Sequence, residues 1–334
     1  MRNEDICRIA QALKEIPDHS LELKEYPGPN RESGRLARTL SVSADGKGRV
    51  SVYQVYPGIR LSLLCFLSEQ AAFRHPASPA VLEVGHCRAG RVGWNMKNGT
   101  SVYLGSGDLS CHSAVCCADS VMTYPMKYYE GISVSMDLET LADRLPGVLS
   151  DTVIDIRKLR EAYCEPQKSV FISTCPETEG IFLPLYDLPE ALRLPYFQLK
   201  IQELLLFLGR YVPDQKAVTK YHSEQTELIR QIHDQLTKDL SCRFTIEELS
   251  RQYLINTSSL KEVFKAVYGL PIASYMKEYR IREAMRLLRE TDESISSVAA
   301  LVGYETQGKF TKAFRDVAQV LPSEYRKQCR QASR

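Results

Sequence analysis

Two groups of polar residues near the C-terminal end have the types and spacing to grip a polyanion. Ser258, Ser259, Lys261 and Lys265 form the first; Thr306, Gln307, Lys309, Lys312 and Arg315 form the second. Hydroxyls, an amide and cations donate to phosphate oxygens and read base edges in a DNA groove. Residues at the start of a helix laid in the groove reach bases, and cations further along it reach phosphates. On that rule Ser259, Gln307, Lys309 and Lys261 face bases, while Lys265, Lys312 and Arg315 face phosphates. Any one of these cations would serve equally well as a solvated helix face. The constellation is what points to duplex DNA. Bulk charge does not: from Ser223 onward the chain has 18 Lys and Arg against 15 Asp and Glu, and the remainder has 25 against 26. The argument rests on where the cations lie.

Two other groups have site-like chemistry. Cys111, His112, Cys116 and Cys117 could hold a soft metal or act as a redox pair. Their spacing fits no standard zinc site, and strand alternation would put Cys116 and Cys117 on opposite faces. Buried thiols in a strand are the simpler reading. His86, Arg88, Trp94, Tyr103 and His112 combine polar tips with apolar bodies, as effector pockets do, although each also suits a structural position. A metal-dependent barrel enzyme would need an HxH cluster, and His86-Cys87 lacks the second histidine. No catalytic residue, metal or cofactor is expected.

The DNA-facing residues sit in a helical unit written twice. Thr245 to Lys265 reads TIEELSRQYLINTSSLKEVFK, and Ser294 to Arg315 reads SISSVAALVGYETQGKFTKAFR. Ile246 aligns with Ile295, Leu249 with Val298 and Ser250 with Ala299. One residue is inserted at the turn, placed at Gly303. Leu260 then aligns with Phe310, Phe264 with Phe314 and Lys265 with Arg315. Thr245 and Glu248 form a capping box, and Ser294 is the second N-cap. Ile246, Leu249 and Leu254 are expected in the core of the first unit. Gly269 ends one helix and Pro271 opens the next, which runs to about Glu290. About twenty residues at 1.5 Å each give roughly 30 Å, near the ~34 Å between successive major-groove faces.

The rest of the chain changes period. From Leu36 to Met136, short alternating runs are broken by Pro57-Gly58, Lys97-Asn98-Gly99 and Gly105-Ser106-Gly107-Asp108. This pattern predicts a β-barrel or jelly roll, small and cupin-like. MDLETLADRL and DTVIDIRKLREAYC read as helices. Ser169 to Leu188 reads as irregular. Pro189 to Tyr211 is a strong helix whose apolar stripe includes Phe197, Ile201, Leu204, Leu205 and Leu208. That stripe would pack either on its own barrel or on a twin, as a dimerisation face. The ten cysteines form no CxxC pair, the start lacks a signal peptide, and no run of eighteen apolar residues exists. A cytoplasmic location without membrane contact is expected.

The fold class is therefore α+β in two domains. A β-barrel sensor and dimerisation domain spans 1–212, with helices over about 137–211, and a linker spans 213–222. A DNA-binding domain spans 223–330, with helix-turn-helix units at 245–268 and 294–319.

Tyr253 to Leu288 resembles the pattern of AraC/XylS-type transcriptional regulators at Ser259-Leu260, Phe264-Lys265, Gly269, Tyr275, Arg280-Ile281, Ala284 and Leu287-Leu288. Gly303 to Arg326 is similar to that family's most specific signature, at Gly303-Tyr304, Gln307, Phe310, Phe314-Arg315, Pro322-Ser323 and Tyr325-Arg326. Two positions depart from it: Gly308-Lys309 stands where a Ser-Tyr pair is usual, and Ala318-Gln319 replaces an aromatic-glycine pair. The resemblance implies seven helices in the C-terminal domain and a double-stranded DNA site read by both units. It also implies an N-terminal sensor that binds a small-molecule effector and forms a homodimer through its helices, with RNA polymerase a further partner. The alternatives are a redox- or metal-responsive regulator using the cysteine cluster, and a cupin enzyme fused to a DNA-binding domain.

Overall fold

A computed structural model describes residues 3–28, 41–95, 100–118, 120–151, 154–165, 169–211 and 221–332. The chain forms two compact units, Met1–His222 and Ser223–Arg334. The Lys97-Asn98-Gly99 turn and linker positions 213–220 lie outside the described residues.

In the first unit, helix α1 (Asn3–Ala12) precedes strand β1 (Leu21–Tyr26). Ten strands follow: β2 (Ser41–Ala44), β3 (Lys47–Tyr56), β4 (Ile59–Leu67), β5 (Gln70–Arg74), β6 (Val81–Gly90), β7 (Val92–Asn95), β8 (Thr100–Leu104), β9 (Leu109–Ser113), β10 (Ser120–Thr123) and β11 (Tyr129–Asp137). A one-turn helix, α2 (Ala114–Cys117), separates β9 from β10. Then come α3 (Leu138–Asp143), α4 (Ile156–Tyr163), β12 (Ser169–Ile172), α5 (Pro176–Phe182), α6 (Glu190–Arg210) and β13 (Tyr221–His222). The stretch from Ser169 to Leu188, expected to be irregular, thus holds a strand and a helix. Pro176 and Pro184 read as breakers, yet Pro176 occupies the first turn of α5, where a missing N–H costs nothing.

The strands form two sheets. The larger has the order β1-β3-β4-β11-β6-β9-β12, and the smaller β13-β8-β7-β10-β5-β2. Residue alternation gives the large sheet two different faces. Leu61, Leu82, Val84, Ile132, Val134 and Met136 pack against the helices, including α6. Val52, Leu64, Phe66 and Cys87 point the other way and pack on Phe73, Val92, Trp94 and Val102 of the smaller sheet. The two sheets therefore face each other across an apolar layer. Among the described residues they do not join into one closed barrel.

Helix α6 corrects the expected dimerisation face. Phe197, Ile201, Leu204, Leu205 and Leu208 are buried in this unit's own core. They meet the helix-side face of the large sheet, so they are not available to a twin. Tyr163, also fully buried, donates from its hydroxyl to the Leu208 carbonyl at 3.1 Å, which ties α4 to the end of α6.

The second unit has seven helices among the described residues: α7 (Ser223–Lys238), α8 (Ile246–Gln252), α9 (Thr257–Tyr268), α10 (Ile272–Glu290), α11 (Ile295–Leu301), α12 (Gln307–Ala318) and α13 (Pro322–Ala332). Helix α10 packs against α9, α11, α12 and α13. Its 19 residues make a strut about 28 Å long. Leu249, Leu260, Val263 and Phe264 fill the first small core; Val298, Phe310 and Phe314 fill the second. Each such side chain contributes about 1.5–3 kcal/mol by leaving water. Leu254 departs from expectation: it is 94% exposed, because its left-handed φ of 52° turns it out of the core.

Candidate nucleic-acid interface

Each helix-turn-helix is fixed by side-chain caps. The Thr245 backbone N–H donates to Glu248 Oε2 at 2.7 Å, and the Glu248 N–H donates to Thr245 Oγ1 at 3.1 Å, completing the capping box of α8. Asn256 Oδ1 accepts from the Ser259 N–H at 2.7 Å and starts α9. Ser294 Oγ accepts from Ser297 at 3.0 Å, and Thr306 Oγ1 accepts from Lys309 at 3.3 Å, so α11 and α12 begin in the same way. Such caps are worth about 1 kcal/mol each.

The turns show where the repeat gains its extra residue. Leu254 and Gly303 occupy equivalent left-handed positions, with φ of 52° and 79°. The next N–H in each unit closes the turn alike: Ile255 donates to the Ser250 carbonyl at 3.1 Å, and Tyr304 to the Ala299 carbonyl at 2.9 Å. Ser250 and Ala299 are equivalent, so the register is still intact at Tyr304. The insertion is Glu305, one step before the α12 cap, and not Gly303.

Helix α12 presents Gln307, Gly308, Thr311, Lys312 and Arg315 along one face, and with Leu321 they line a shallow groove. Lys312 and Arg315 are exposed, and among the described residues neither has an ion-pair partner. Gly308 has open space where a Cβ would stand, so nothing within the domain requires glycine there. Lys309 lies differently. Its Nζ contacts Glu305 Oε2 at 2.6 Å, which holds the Glu305 carboxyl below the ordinary carboxylate range. On α9, Ser258, Lys261 and Lys265 are exposed and Ser259 is half-buried. The hydroxyl of Thr306 is engaged in capping, so it is a positioning group first. Thr311 was missed in the sequence, although its i+4 spacing from Gln307 and to Arg315 places it on the same face.

The other candidate groups are dispersed. Cys111 is buried on the helix-side face of the large sheet, whereas His112, the next residue, lies near Trp94 with ring centroids 6.0 Å apart. Cys116 belongs to α2, not to a strand, and the Cys117 side chain lies outside the described residues. Burial pushes the Cys111 thiol far above its usual range, and no group of three or more possible metal ligands occurs among the described residues. The strand placement expected for Cys116 is thus corrected: it lies in a single helical turn between β9 and β10.

The five proposed effector residues also separate. His86 stacks on Phe182 at 4.7 Å and its Nδ1 meets the Tyr186 hydroxyl at 2.7 Å. Arg88 lies over the Tyr186 ring and pairs with Asp187. Both point toward α5 and the segment before α6. Tyr103 packs over Gly93, on the face of the smaller sheet opposite Trp94. Only Trp94 and His112 share the space between the sheets.

A family described as a helix-turn-helix domain matches residues 249–328. The RhaR transcriptional activator of Mannheimia succiniciproducens is 30% identical over 112 residues, 34% of this chain and 40% of that protein. RhaR of Pectobacterium carotovorum is 27% identical over 139 residues, 41% of this chain and 47% of that protein. The chain thus spans less than half the length of these relatives. Among solved structures, the C-terminal domain of the response regulator yesN from Fusobacterium nucleatum is 30% identical, covering 31% of this chain and 99% of that one, with a TM-score of 0.28. ToxT from Vibrio cholerae is 13% identical, covering 80% and 98%, with a TM-score of 0.29. No helix among the described residues is long and apolar enough to cross a membrane. The repeat, its caps, its exposed donor faces and its relatives agree: the C-terminal unit of this chain is an AraC-type double helix-turn-helix domain.

Proposed function

We propose that this chain is a sequence-specific transcription regulator that binds duplex DNA through α9 and α12 and responds to a small-molecule effector held by its N-terminal unit. The observation that carries the reading is the α12 face. Exposed Lys312 and Arg315 continue a row that begins with Gln307, on a helix whose other side is locked into the core by Phe310 and Phe314. Base-reading groups at the helix start and cations further along are what a groove-binding helix needs. In this reading Ser259, Lys261, Gln307 and Lys309 lie toward bases, Lys265, Lys312 and Arg315 toward phosphates, Ser258 flanks them at the exposed start of α9, and Thr306 positions α12 as its cap. The two facing sheets act as a cupin-like sensor, and the protein works in the cytoplasm, in reach of RNA polymerase, without a catalytic role.

Dimerisation, in this proposal, uses a different stripe of α6 from the one expected. Leu192, Tyr196, Leu199 and Leu206 are exposed, at intervals of four, three and seven residues. With Glu203 between the last two, this is the 3-4 spacing of a two-helix seam. Titrating fluorescent genomic fragments from beside the gene with full-length protein tests the function. Specific, saturable binding is expected, and binding that competitor DNA of any sequence abolishes equally would refute it.

A further inference from the structure

The groove beside α12 is built from two kinds of surface. Gln307 stands at the start of the helix, and Lys312 and Arg315 stand further along it. Between these polar groups lie Gly308, Thr311 and Leu321, and no carboxylate is among the lining residues. Thr311 and Leu321 are half-buried. Gly308 has nothing within 4 Å of the place where a Cβ would stand. At about 100° per residue, it sits roughly 200° around the helix from Phe310, which is buried in the core. It therefore faces outward, and the middle of the groove is a small apolar hollow. Leu321 is fixed at its edge by the backbone. Gln319 closes α12 with a left-handed φ of 59°, and its N–H donates to the Arg315 carbonyl at 2.9 Å. The chain then enters α13, where the Leu321 N–H donates to Glu324 Oε2 at 3.0 Å and the Leu321 carbonyl accepts from the Tyr325 N–H at 2.9 Å.

The first unit does not repeat this hollow. The two second helices run in step: α9 and α12 are both 12 residues long, and each is followed by a left-handed residue, Gly269 or Gln319. In that register Gly308, Thr311 and Leu321 correspond to Ser258, Lys261 and Pro271. A hydroxymethyl group replaces the bare Cα, a cation replaces the threonine methyl, and a proline replaces the leucine. The apolar strip thus belongs to the second unit, on a face that is otherwise polar and cationic.

We infer that this hollow reads the 5-methyl group of a thymine, while Gln307 takes a neighbouring adenine. The inference rests on the proposal that α12 lies in the major groove, and it gives that helix a base preference. In the major groove thymine alone offers a methyl group; cytosine carries hydrogen at the same carbon. Threonine methyls and other apolar groups pack on that methyl, and a glutamine amide pairs with adenine N6 and N7. Gly308 leaves the backbone bare where the methyl arrives, and Thr311 and Leu321 supply the apolar walls. The groove measures about 470 Å³, which admits the edge of a base and not only a bound ion. A cytosine would leave the hollow unfilled, and its amino group would meet no acceptor on Gly308 or Leu321. Lys312 and Arg315 keep their place toward phosphates and add affinity without choosing the base.

The test starts from duplexes that the full-length protein selects from a randomised pool. In a selected duplex each thymine is replaced in turn by deoxyuridine, which removes the 5-methyl and keeps the base pairing. At one thymine the replacement should weaken binding about fourfold, the effect of one buried methyl-sized group. Thr311→Ser keeps the hydroxyl and loses the methyl, so it should erase the difference between thymine and deoxyuridine at that position. Thr311→Val keeps a methyl and loses the hydroxyl, so it should preserve the difference. Melting temperature confirms that both variants fold. Deoxyuridine tolerated at every thymine overturns the inference, as does a thymine preference that Thr311→Ser leaves intact. A preference lost in Thr311→Val and kept in Thr311→Ser assigns the contact to the hydroxyl and overturns it equally. The selection separates this inference from the reading beneath it. A pool that yields no shared sequence refutes sequence-specific binding itself. A shared sequence that is indifferent to the methyl refutes only the role of the hollow.

Discussion

Replacing Gly303 with alanine should destabilise the C-terminal unit. Gly303 has φ of 79°, where a residue with a Cβ is strained by roughly 1–2 kcal/mol. A Cβ there would also stand 2.1 Å from the Leu240 carbonyl oxygen, which is backbone and cannot rotate away. Overpacking of this kind costs about 1–3 kcal/mol. Shifting the turn to relieve it would disturb two further bonds, because Arg243 donates to the Gly303 carbonyl from Nε at 3.0 Å and from Nη2 at 2.7 Å. The sum is a loss of about 2–5 kcal/mol. At roughly 4 °C per kcal/mol for a unit of this size, the melting point should fall by about 8–20 °C. Thermal unfolding of the full chain, followed by far-ultraviolet circular dichroism, measures it. Leu254→Ala is the control: the position is equivalent but exposed, and the change should stay within about 0.5 kcal/mol. If Gly303→Ala melts like wild type, the Leu240 contact is not what fixes this turn, and the packing described for the second unit is wrong.

Gly308→Ala should stabilise the domain by about 1 kcal/mol, since α12 has open space there and alanine is the better helix former. The same variant should lose specific DNA affinity on the order of tenfold if the backbone seats closely in the groove; unchanged affinity would place Gly308 away from DNA. Leu199→Glu, on the exposed stripe of α6, should convert a dimer to a monomer in sedimentation velocity, and a dimer that persists would move the interface elsewhere. Burial pulls the pKa of both His86 and His112 down to about 4. Both are thus neutral in the folded state, while the unfolded chain takes up protons below about pH 6.5. Their stabilisation is full above that pH and is lost as pH falls toward 4, by up to about 3 kcal/mol each. Glu83, raised by burial, works in reverse, favouring the folded state at low pH and losing that contribution as pH rises through its folded pKa. Urea unfolding followed by Trp94 fluorescence should show net destabilisation from pH 6.5 to 4, and a flat profile would contradict the buried, neutral histidines.

The C-terminal unit is legible in the sequence because its signals are local. Thr245 with Glu248, Asn256 and Ser294 mark helix starts through their own side chains, and Gly269 and Gly303 mark left-handed turns, whereas Thr306 reads in the sequence as a DNA contact and proves to be the cap of α12. Leu254 misleads for a local reason too: a left-handed leucine breaks the periodicity that assigns it to the core. The N-terminal unit is less legible because register decides its faces. Cys111 and His112 are neighbours in sequence and point to opposite sides of one sheet. Glu83, Ser135 and Arg60 are far apart in sequence and adjacent in space, so nothing in the chain alone joins them. On α6 the denser stripe, Phe197 to Leu208, suits a twin on periodicity alone, but a stripe that apolar goes first to the nearest sheet. The sparser stripe of Leu192, Tyr196, Leu199 and Leu206 is what remains outside.

The central claim is that both helix-turn-helix units hold DNA at once. The most direct test is the salt dependence of specific binding by fluorescence anisotropy, for wild type, Lys265→Ala on α9 and Arg315→Ala on α12. Each lost phosphate contact should flatten the slope of log K against log salt by about 0.9. A smaller slope in both variants is the expected result. A slope that changes for one and stays at the wild-type value for the other would contradict it, leaving a single unit in the groove.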